Sequence, residues 1–360
     1  MSSSVITLRF EPTMRVSGEV LTGFVDLHFP QILEQDVTEI HVKLRGAVTS
    51  NVSRRRNKRT VTRREIIDIA RINCSMWTKG SAYPTDSTNV LRLPFRIPLP
   101  QNAPPSCQYS GPRKTGEISY FVEVVGVRPS MFSMNIREKR SFNVVPRDPA
   151  GLLIRAALES GFVGPTKTIT SDMHIRKGMW GKYSRVNMEL TLPALPSFPL
   201  FTKIPFTLRI VTTSKEKKYH AKQEDHTVFP EPPRLPRNVS LTLKRTVTVT
   251  AQGWSSDGSE TTAHLGGLGS AASTEGGNVE VAFDKKWVPS GVGKMGQWTQ
   301  ESIISSSFQL SATPTFNTLI LSQSNFLRLK VDFPGAGNTL ETDIPINISS
   351  GFEIPPATTL

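Results

Sequence analysis

Apolar and polar residues alternate at a period of two along most of the chain, which is the pattern of strands with one buried face. In the first half, Val25 and Leu27 flank Asp26, and Ile40 to Leu44 alternate with charged residues. The alternation returns later at Met188, Leu190 and Leu192, at Phe206, Leu208 and Ile210, at Leu327, Leu329 and Val331, and at Ile344, Ile346 and Ile348. Both halves are therefore predicted to form antiparallel sheets with one exposed face, on which Asp26 should lie.

Proline and glycine separate these runs at short intervals. The chain has 27 Pro and 25 Gly, and residues 93–100 carry three prolines in a run that otherwise alternates, which favours edge strands or strand starts. Short strands with frequent turns are typical of β-sandwiches. The predicted fold class is therefore all-β.

One segment departs from the period of two. Asp148 followed by Pro149, an apolar stretch to Ser160 and then Gly161 has the acidic N-cap, the early proline and the trailing glycine of a short helix. The following residues up to Gly181 are polar and contain glycine, which favours a linker.

Chain length and these boundaries predict two domains, because 360 residues exceed the usual size of one domain. Residues 253–277 contain 12 Gly and Ser, which predicts a disordered loop within the second domain. The expected organisation is a sandwich over 1–147, a linker with the short helix over 148–181, a second sandwich over 182–350, and a tail over 351–360.

Composition and the residues at the start of the sequence predict a cytosolic protein. Two cysteines, Cys74 and Cys107, are too few for a disulfide framework or a cysteine-rich zinc site. The first residues lack the apolar stretch of a secretory signal, and no run approaches the length of a spanning helix.

No motif for catalysis or for a cofactor is found. The six histidines are scattered, and no GxSxG sequence surrounds a serine. Residues 291–296 match GxGxxG, but they follow Pro289 and Ser290 instead of a strand, so a loop is favoured over a dinucleotide site. The sequence therefore predicts no enzyme activity, no metal site and no cofactor.

Charge is concentrated in one place. Lys and Arg total 43 against 30 Asp and Glu, which gives a net charge of +13. Seven of the basic residues fall within 54–64 without an acid among them, which leaves the rest of the chain at 36 against 30, or +6. The members of this basic run are Arg54, Arg55, Arg56, Lys58, Arg59, Arg63 and Arg64.

Several motifs resemble the arrestin family. Residues 15–25 (RVSGEVLTGFV) are similar to the early strand-turn-strand motif of arrestin N-terminal domains, and 40–46 (IHVKLRG) to the strand that follows it. Residues 93–106, which run from LPFRIPLP to PPS, precede GEISY at 116–120 in the order and spacing of the same domains. In the second half, 182–210 and 314–331 look similar to an arrestin C-terminal domain.

The resemblance implies two tandem immunoglobulin-like β-sandwiches of arrestin type. It further implies an α-arrestin, or arrestin-related trafficking adaptor: a non-catalytic cytoplasmic protein, peripherally associated with the plasma membrane or endosomes. Such an adaptor binds cytoplasmic tails of transporters or receptors and promotes their ubiquitin-linked endocytosis or sorting. The chain has no PPxY motif, so a ubiquitin ligase would be reached through an intermediary.

The basic run has two interpretations, a solvated hairpin tip or a cationic finger. As a finger, it would bind acidic or phosphorylated tails or an anionic lipid surface. Nucleic acid is disfavoured because the run lacks interleaved aromatic residues for stacking. Two other functions remain open: a retromer-like coat subunit of the same fold, and a basic nucleic-acid-associated protein.

Overall fold

The computed structural model describes residues 4–57, 59–85, 88–129, 134–177, 183–220, 228–269, 279–291, 295–335 and 337–354. The first half is built from strands and one helical turn, α1 (Phe29–Glu34). The strands are β1 (Ile6–Arg9), β2 (Arg15–Val16), β3 (Val20–His28), β4 (Glu39–Arg56), β5 (Arg59–Thr78), β6 (Val90–Pro98), β7 (Cys107–Gly111), β8 (Lys114–Val127), β9 (Ile136–Phe142) and β10 (Val144–Val145).

These strands form two antiparallel sheets and one small parallel pair. One sheet has the order β1-β3-β6, and the other has the order β5-β4-β8-β7, with β9 pairing β8 further along the same edge. The two-residue strands β2 and β10 pair in parallel. Buried apolar side chains from both sheets form one core, as in a sandwich.

The second half begins with a helix, α2 (Pro149–Glu159), and continues as strands. A short 3-10 turn covers Pro236–Asn238. The strands are β11 (Thr166–Arg176), β12 (Tyr183–Pro193), β13 (Phe198–Pro199), β14 (Lys203–Thr213), β15 (Lys217–Lys218), β16 (Val239–Ala251), β17 (Trp254–His264), β18 (Glu280–Pro289), β19 (Met295–Gln309), β20 (Phe316–Asn317), β21 (Leu321–Asp332), β22 (Thr339–Ile346) and β23 (Ile348–Ser349).

This half is also a sandwich. One sheet has the order β11-β12-β14-β19-β15 with β18 also on β19, and the other has the order β17-β16-β21-β20 with β22 also on β21. A second apolar core lies between them. The predicted all-β class is confirmed.

The two cores do not divide at α2. Five buried residues of the second half pack into the core of the first, at the ends of β16 and β21 nearest to the β4–β5 hairpin. These residues are Val247, Val249, Ala251, Ile320 and Leu321. The two sandwiches therefore share apolar surface and do not merely touch through a linker.

The predicted linker helix is present, and the stretch predicted to follow it as linker is not. Asp148 caps α2 by accepting a hydrogen bond from the Gly151 N–H at 2.8 Å. Within the predicted 148–181 linker, however, β11 pairs with β12 over its full length. The residues are polar because β11 is an edge strand, and only Ile175 on it is fully buried. Polarity here reflected exposure and not lack of structure.

The predicted disordered loop over 253–277 is also wrong in part. Trp254–His264 forms β17, which pairs with β16 through an antiparallel ladder of backbone hydrogen bonds. Leu265 and Leu268 are buried beyond it. Small residues can line an edge strand because the ladder of the neighbouring strand fixes the backbone. Residues 270–277 of the predicted loop lie outside the described residues.

Asp26 is buried, although its position in the alternation predicted exposure. Its carboxylate accepts hydrogen bonds from Arg92 Nε at 2.7 Å and Arg92 Nη2 at 3.1 Å, and it is also bound by Arg9 Nε. The hydrogen bond from Arg92 is the largest influence holding the pKa of Asp26 below its ordinary value, against an opposing effect of burial. The two guanidinium groups cover the acid, so its burial results from pairing.

Candidate functional site

The basic run lies at the tip of the long β4–β5 hairpin. The register pairs Arg54 with Val61 and Val52 with Arg63, so Arg54 and Arg63 lie on the face that carries the buried Val52. Arg55 and Arg64 lie on the opposite face because side chains alternate along a strand. Asn57 turns the chain with a positive φ of 48°. Lys58 and the side chain of Arg56 lie outside the described part.

Two arginines of the run bind Trp254 of the second sandwich. The guanidinium carbons of Arg54 and Arg63 lie 4.9 Å and 4.2 Å from the centre of the Trp254 ring. Arg54 Nη2 donates to the carbonyl of Ser255 at 3.3 Å, and Arg63 Nη1 donates to the carbonyl of Gln252 at 2.5 Å. These two members of the run are therefore occupied by a contact between the sandwiches.

Backbone and polar groups extend this contact on both sides of the tryptophan. Gln252 donates its backbone N–H to Glu65 Oε2 at 2.6 Å and its side-chain amide to the carbonyl of Arg64 at 3.1 Å. The buried hydroxyl of Ser50 donates to the carbonyl of Thr250 at 2.6 Å. Gln252 has a φ of 48° and Gly253 a φ of 78° in the two-residue turn between β16 and β17. Positive φ at both positions is typical of a tight hairpin turn, which here projects Trp254 toward the basic run.

A second group of polar contacts continues the interface toward β7. Arg245 of β16 binds Glu260 through Nε at 2.7 Å, and its Nη2 donates to the carbonyl of Gln108 at 2.9 Å. Its Nη1 donates to Gln323 Oε1 at 3.2 Å. Burial raises the pKa of the nearby Cys107 thiol, and Arg245 partly opposes that effect. The interface is thus hydrogen-bonded across several strands of both sandwiches.

Three members of the basic run remain open to solvent. Arg55, Arg59 and Arg64 are exposed, and among the described residues none of the three forms a salt bridge with a carboxylate. The structure therefore separates the run into Arg54 and Arg63, which contact the second sandwich, and three other exposed cations. Arg55 and Arg64 of these lie on the opposite face of the hairpin, and Arg59 lies at its tip on the same face as Arg63. A ligand with several negative charges could contact these three.

A crevice of about 520 Å³ opens between the sandwiches elsewhere in the interface. Met14 and Phe201, exposed by 40% and 45%, lie on its lining together with Cys107, Tyr120 and the 311–314 segment. Within the ranges that the structure covers, no group of three His, Cys, Asp or Glu side chains is placed to hold a metal ion. No described helix is long and apolar enough to cross a membrane.

Sequence reasoning missed the residues that hold the hairpin. Trp254, Gln252 and Glu65 carry no local signal, because their partners are about 190 to 200 residues away in the chain. Gln252-Gly253 could have indicated a turn, but the glycine- and serine-rich composition after it favoured a loop.

Comparison with known proteins agrees with the architecture of the first half. Residues 6–147 match the family model for the arrestin (or S-antigen) N-terminal domain. The match begins at the first residue of β1 and ends one residue before the helix cap Asp148. No curated protein matches the chain. The family match supports an arrestin-like protein, and proteins of that family are generally non-catalytic adaptors that bind cytoplasmic parts of membrane proteins.

Proposed function

We propose that this protein is a non-catalytic adaptor of the α-arrestin type. It would bind cytoplasmic tails of membrane transporters or receptors and promote their ubiquitin-linked endocytosis or sorting. The observation that carries the proposal is the arrestin N-terminal domain match over 6–147, followed in the same chain by a second sandwich. The protein would act in the cytoplasm at the plasma membrane or endosomes.

The exposed cations of the basic run that do not contact Trp254 are the proposed contact with acidic or phosphorylated tails, or with anionic lipid beside them. Arg54 and Arg63 are engaged with Trp254, so the proposed contact rests on Arg55, Arg59 and Arg64 among the described side chains. At about 1 kcal/mol for each basic residue near an acidic surface, three residues supply about 3 kcal/mol. Micromolar affinity corresponds to about 8.2 kcal/mol, so a second contact with cargo is required. The adaptor would then bind only where charge and cargo coincide.

The ubiquitin ligase would be recruited indirectly. The proline pairs at 104–105, 232–233 and 355–356 are followed by Ser-Cys, Arg-Leu and Ala-Thr, so none forms a PPxY sequence. A WW-domain ligase that recognises such a motif would need an intermediary protein.

Proximity labelling in the native cell tests the proposal. The variant R55E/R59E/R64E changes only exposed residues, and R71E/R96E/R237E is a control with the same change of charge at exposed positions elsewhere. The wild type and the control should label transporters or receptors together with ligase components, and the first variant should lose both. Coat proteins without a ligase would instead indicate a coat subunit, and nuclear or RNA-bound proteins would overturn the adaptor function.

A further inference from the structure

Helix α2 presents an apolar face to solvent. Leu153 is 74% exposed, Leu152 is 40% exposed, and Val163 just beyond the helix is 98% exposed. The other exposed positions on the outward side of the helix are alanines and a proline, with Glu159 and Ser160 only at its end. The inward side carries the buried Gly151 and Leu158 together with the half-buried Arg155. The outward face of a helix packed on a protein is normally polar, so an apolar outward face points to a further contact.

The orientation of α2 is fixed by contacts on its inward side. The Asp148 carboxylate accepts from the backbone N–H groups of Gly151 at 2.8 Å and Gly351 at 3.0 Å. Arg155 Nη2 donates to the carbonyls of Leu200 at 3.0 Å and Ser350 at 3.1 Å. The helix cannot turn Leu153 inward without breaking these bonds, so the fold itself fixes Leu153 on the outward face.

The size and surroundings of this face favour a lipid bilayer over a second protein surface. Eleven residues span about 16 Å, which gives a face of roughly 160 Å², far below the roughly 800 Å² per partner of a stable protein interface. Binding to a bilayer scales with the buried apolar area and with electrostatic attraction to anionic lipids, so it has no comparable minimum area. Lys167 is exposed four residues after Val163, and the exposed Lys203 lies three residues after Leu200, which binds Arg155.

We infer that α2 lies on the surface of an anionic bilayer and inserts Leu152, Leu153 and Val163 between the lipid headgroups, with Lys167 and Lys203 near their negative charges. This inference rests on the face of α2 and not on the proposed adaptor function. The basic run is on the β4–β5 hairpin, so the two contacts can be removed separately.

Co-sedimentation of the purified full chain with vesicles tests the inference. Vesicles of phosphatidylcholine with phosphatidylserine should bind the wild type, and vesicles of phosphatidylcholine alone should bind it less. The variant L152S/L153S/V163S should lower the partition coefficient by about tenfold or more. The matched control L33S/L319S changes leucines that are 56% and 85% exposed elsewhere and should bind as the wild type does. Equal binding by both variants would overturn the inference.

A site-specific label gives a second readout that does not depend on a change in affinity. In a Cys74→Ser background, an environment-sensitive dye on Leu153→Cys should shift to the blue on vesicles, and the same dye on Leu319→Cys should not. An unshifted dye at 153 would overturn the inference. A dimer in solution that the triple serine variant abolishes would overturn it too, by assigning the face to a second copy. Vesicle binding lost only in R55E/R59E/R64E would refute the helix contact while leaving the adaptor function open.

Discussion

Replacing Trp254 with alanine should release the tip of the β4–β5 hairpin from the second sandwich. The guanidinium carbons of Arg54 and Arg63 lie 4.9 Å and 4.2 Å from the centre of the indole ring, which also packs against the apolar core of the first sandwich. The substitution removes both cation–π contacts and this apolar packing at once. The hydrogen bonds from the Gln252 backbone N–H to Glu65, from its side-chain amide to the Arg64 carbonyl, and from Ser50 to Thr250 would remain at this end of the interface.

The expected loss of stability follows from these contacts. A cation–π contact contributes about 0.5–1 kcal/mol when exposed and about 2 kcal/mol when desolvated, so the exposed Arg54 and the half-buried Arg63 together give about 1–3 kcal/mol. Loss of apolar burial by the half-buried indole adds about 1 kcal/mol. We expect Trp254→Ala to lower the free energy of unfolding by about 2–4 kcal/mol, with a fall in Tm of about 3–5 °C for a folding unit of this length.

Hydrogen exchange and urea unfolding measure the two parts of this effect. Exchange should rise over 50–66 and 247–256, which are the segments that meet at Trp254. A double-mutant cycle between Arg63→Ala and Trp254→Ala should give a coupling of about 1 kcal/mol. Arg55→Ala, on the opposite face of the hairpin, is the control and should change neither quantity. Unaltered exchange in Trp254→Ala, or an equal effect of Arg55→Ala, would refute the assigned role of the indole.

Three further predictions concern groups elsewhere in the fold. Asp26→Asn should lower stability at neutral pH by about 1–3 kcal/mol, because the carboxylate bound by Arg92 is lost. The native pKa of Asp26 is depressed, so the difference between variant and wild type in urea midpoint should persist above about pH 4. It should vanish as the pH falls through that native pKa. A thiol reagent should modify the half-buried Cys74 rapidly and the buried Cys107 only in denaturant, and two fast thiols would contradict the packing. Asp148→Ala should lower the free energy of unfolding by about 1 kcal/mol or more and increase hydrogen exchange at the start of α2, where unchanged exchange would argue against its capping role.

The period-two pattern and the helix cap were sufficient to predict most of the architecture. Both signals depend on residues that are neighbours in the sequence. Alternation indicates a half-buried strand, and Asp148 followed by Pro149 indicates the start of a helix. The same local reasoning failed for β11 and β17. Each is an edge strand whose stability comes from pairing with a distant neighbour, so its own residues could remain polar or small.

The candidate site was predictable only in part. The charge of the basic run is a local property and was visible in the sequence. Which of its arginines contact the second sandwich and which remain exposed depends on Trp254, about 190 positions later. The burial of Asp26 was missed for the same reason, because Arg92 lies 66 residues away along the chain. Pairing between distant residues, more than composition, decides which charges are available to a partner.

The shared core has a consequence for how the chain can be divided. A cut at α2 would follow the boundary suggested by the sequence, yet it would strip Val247, Val249 and Leu321 from the apolar cluster that they complete. The first fragment would have a cavity in its core, and the second would expose the apolar side chains that fill this cavity in the intact chain. We therefore expect the two sandwiches to fold as one cooperative unit, and a cut at α2 to destabilise both fragments.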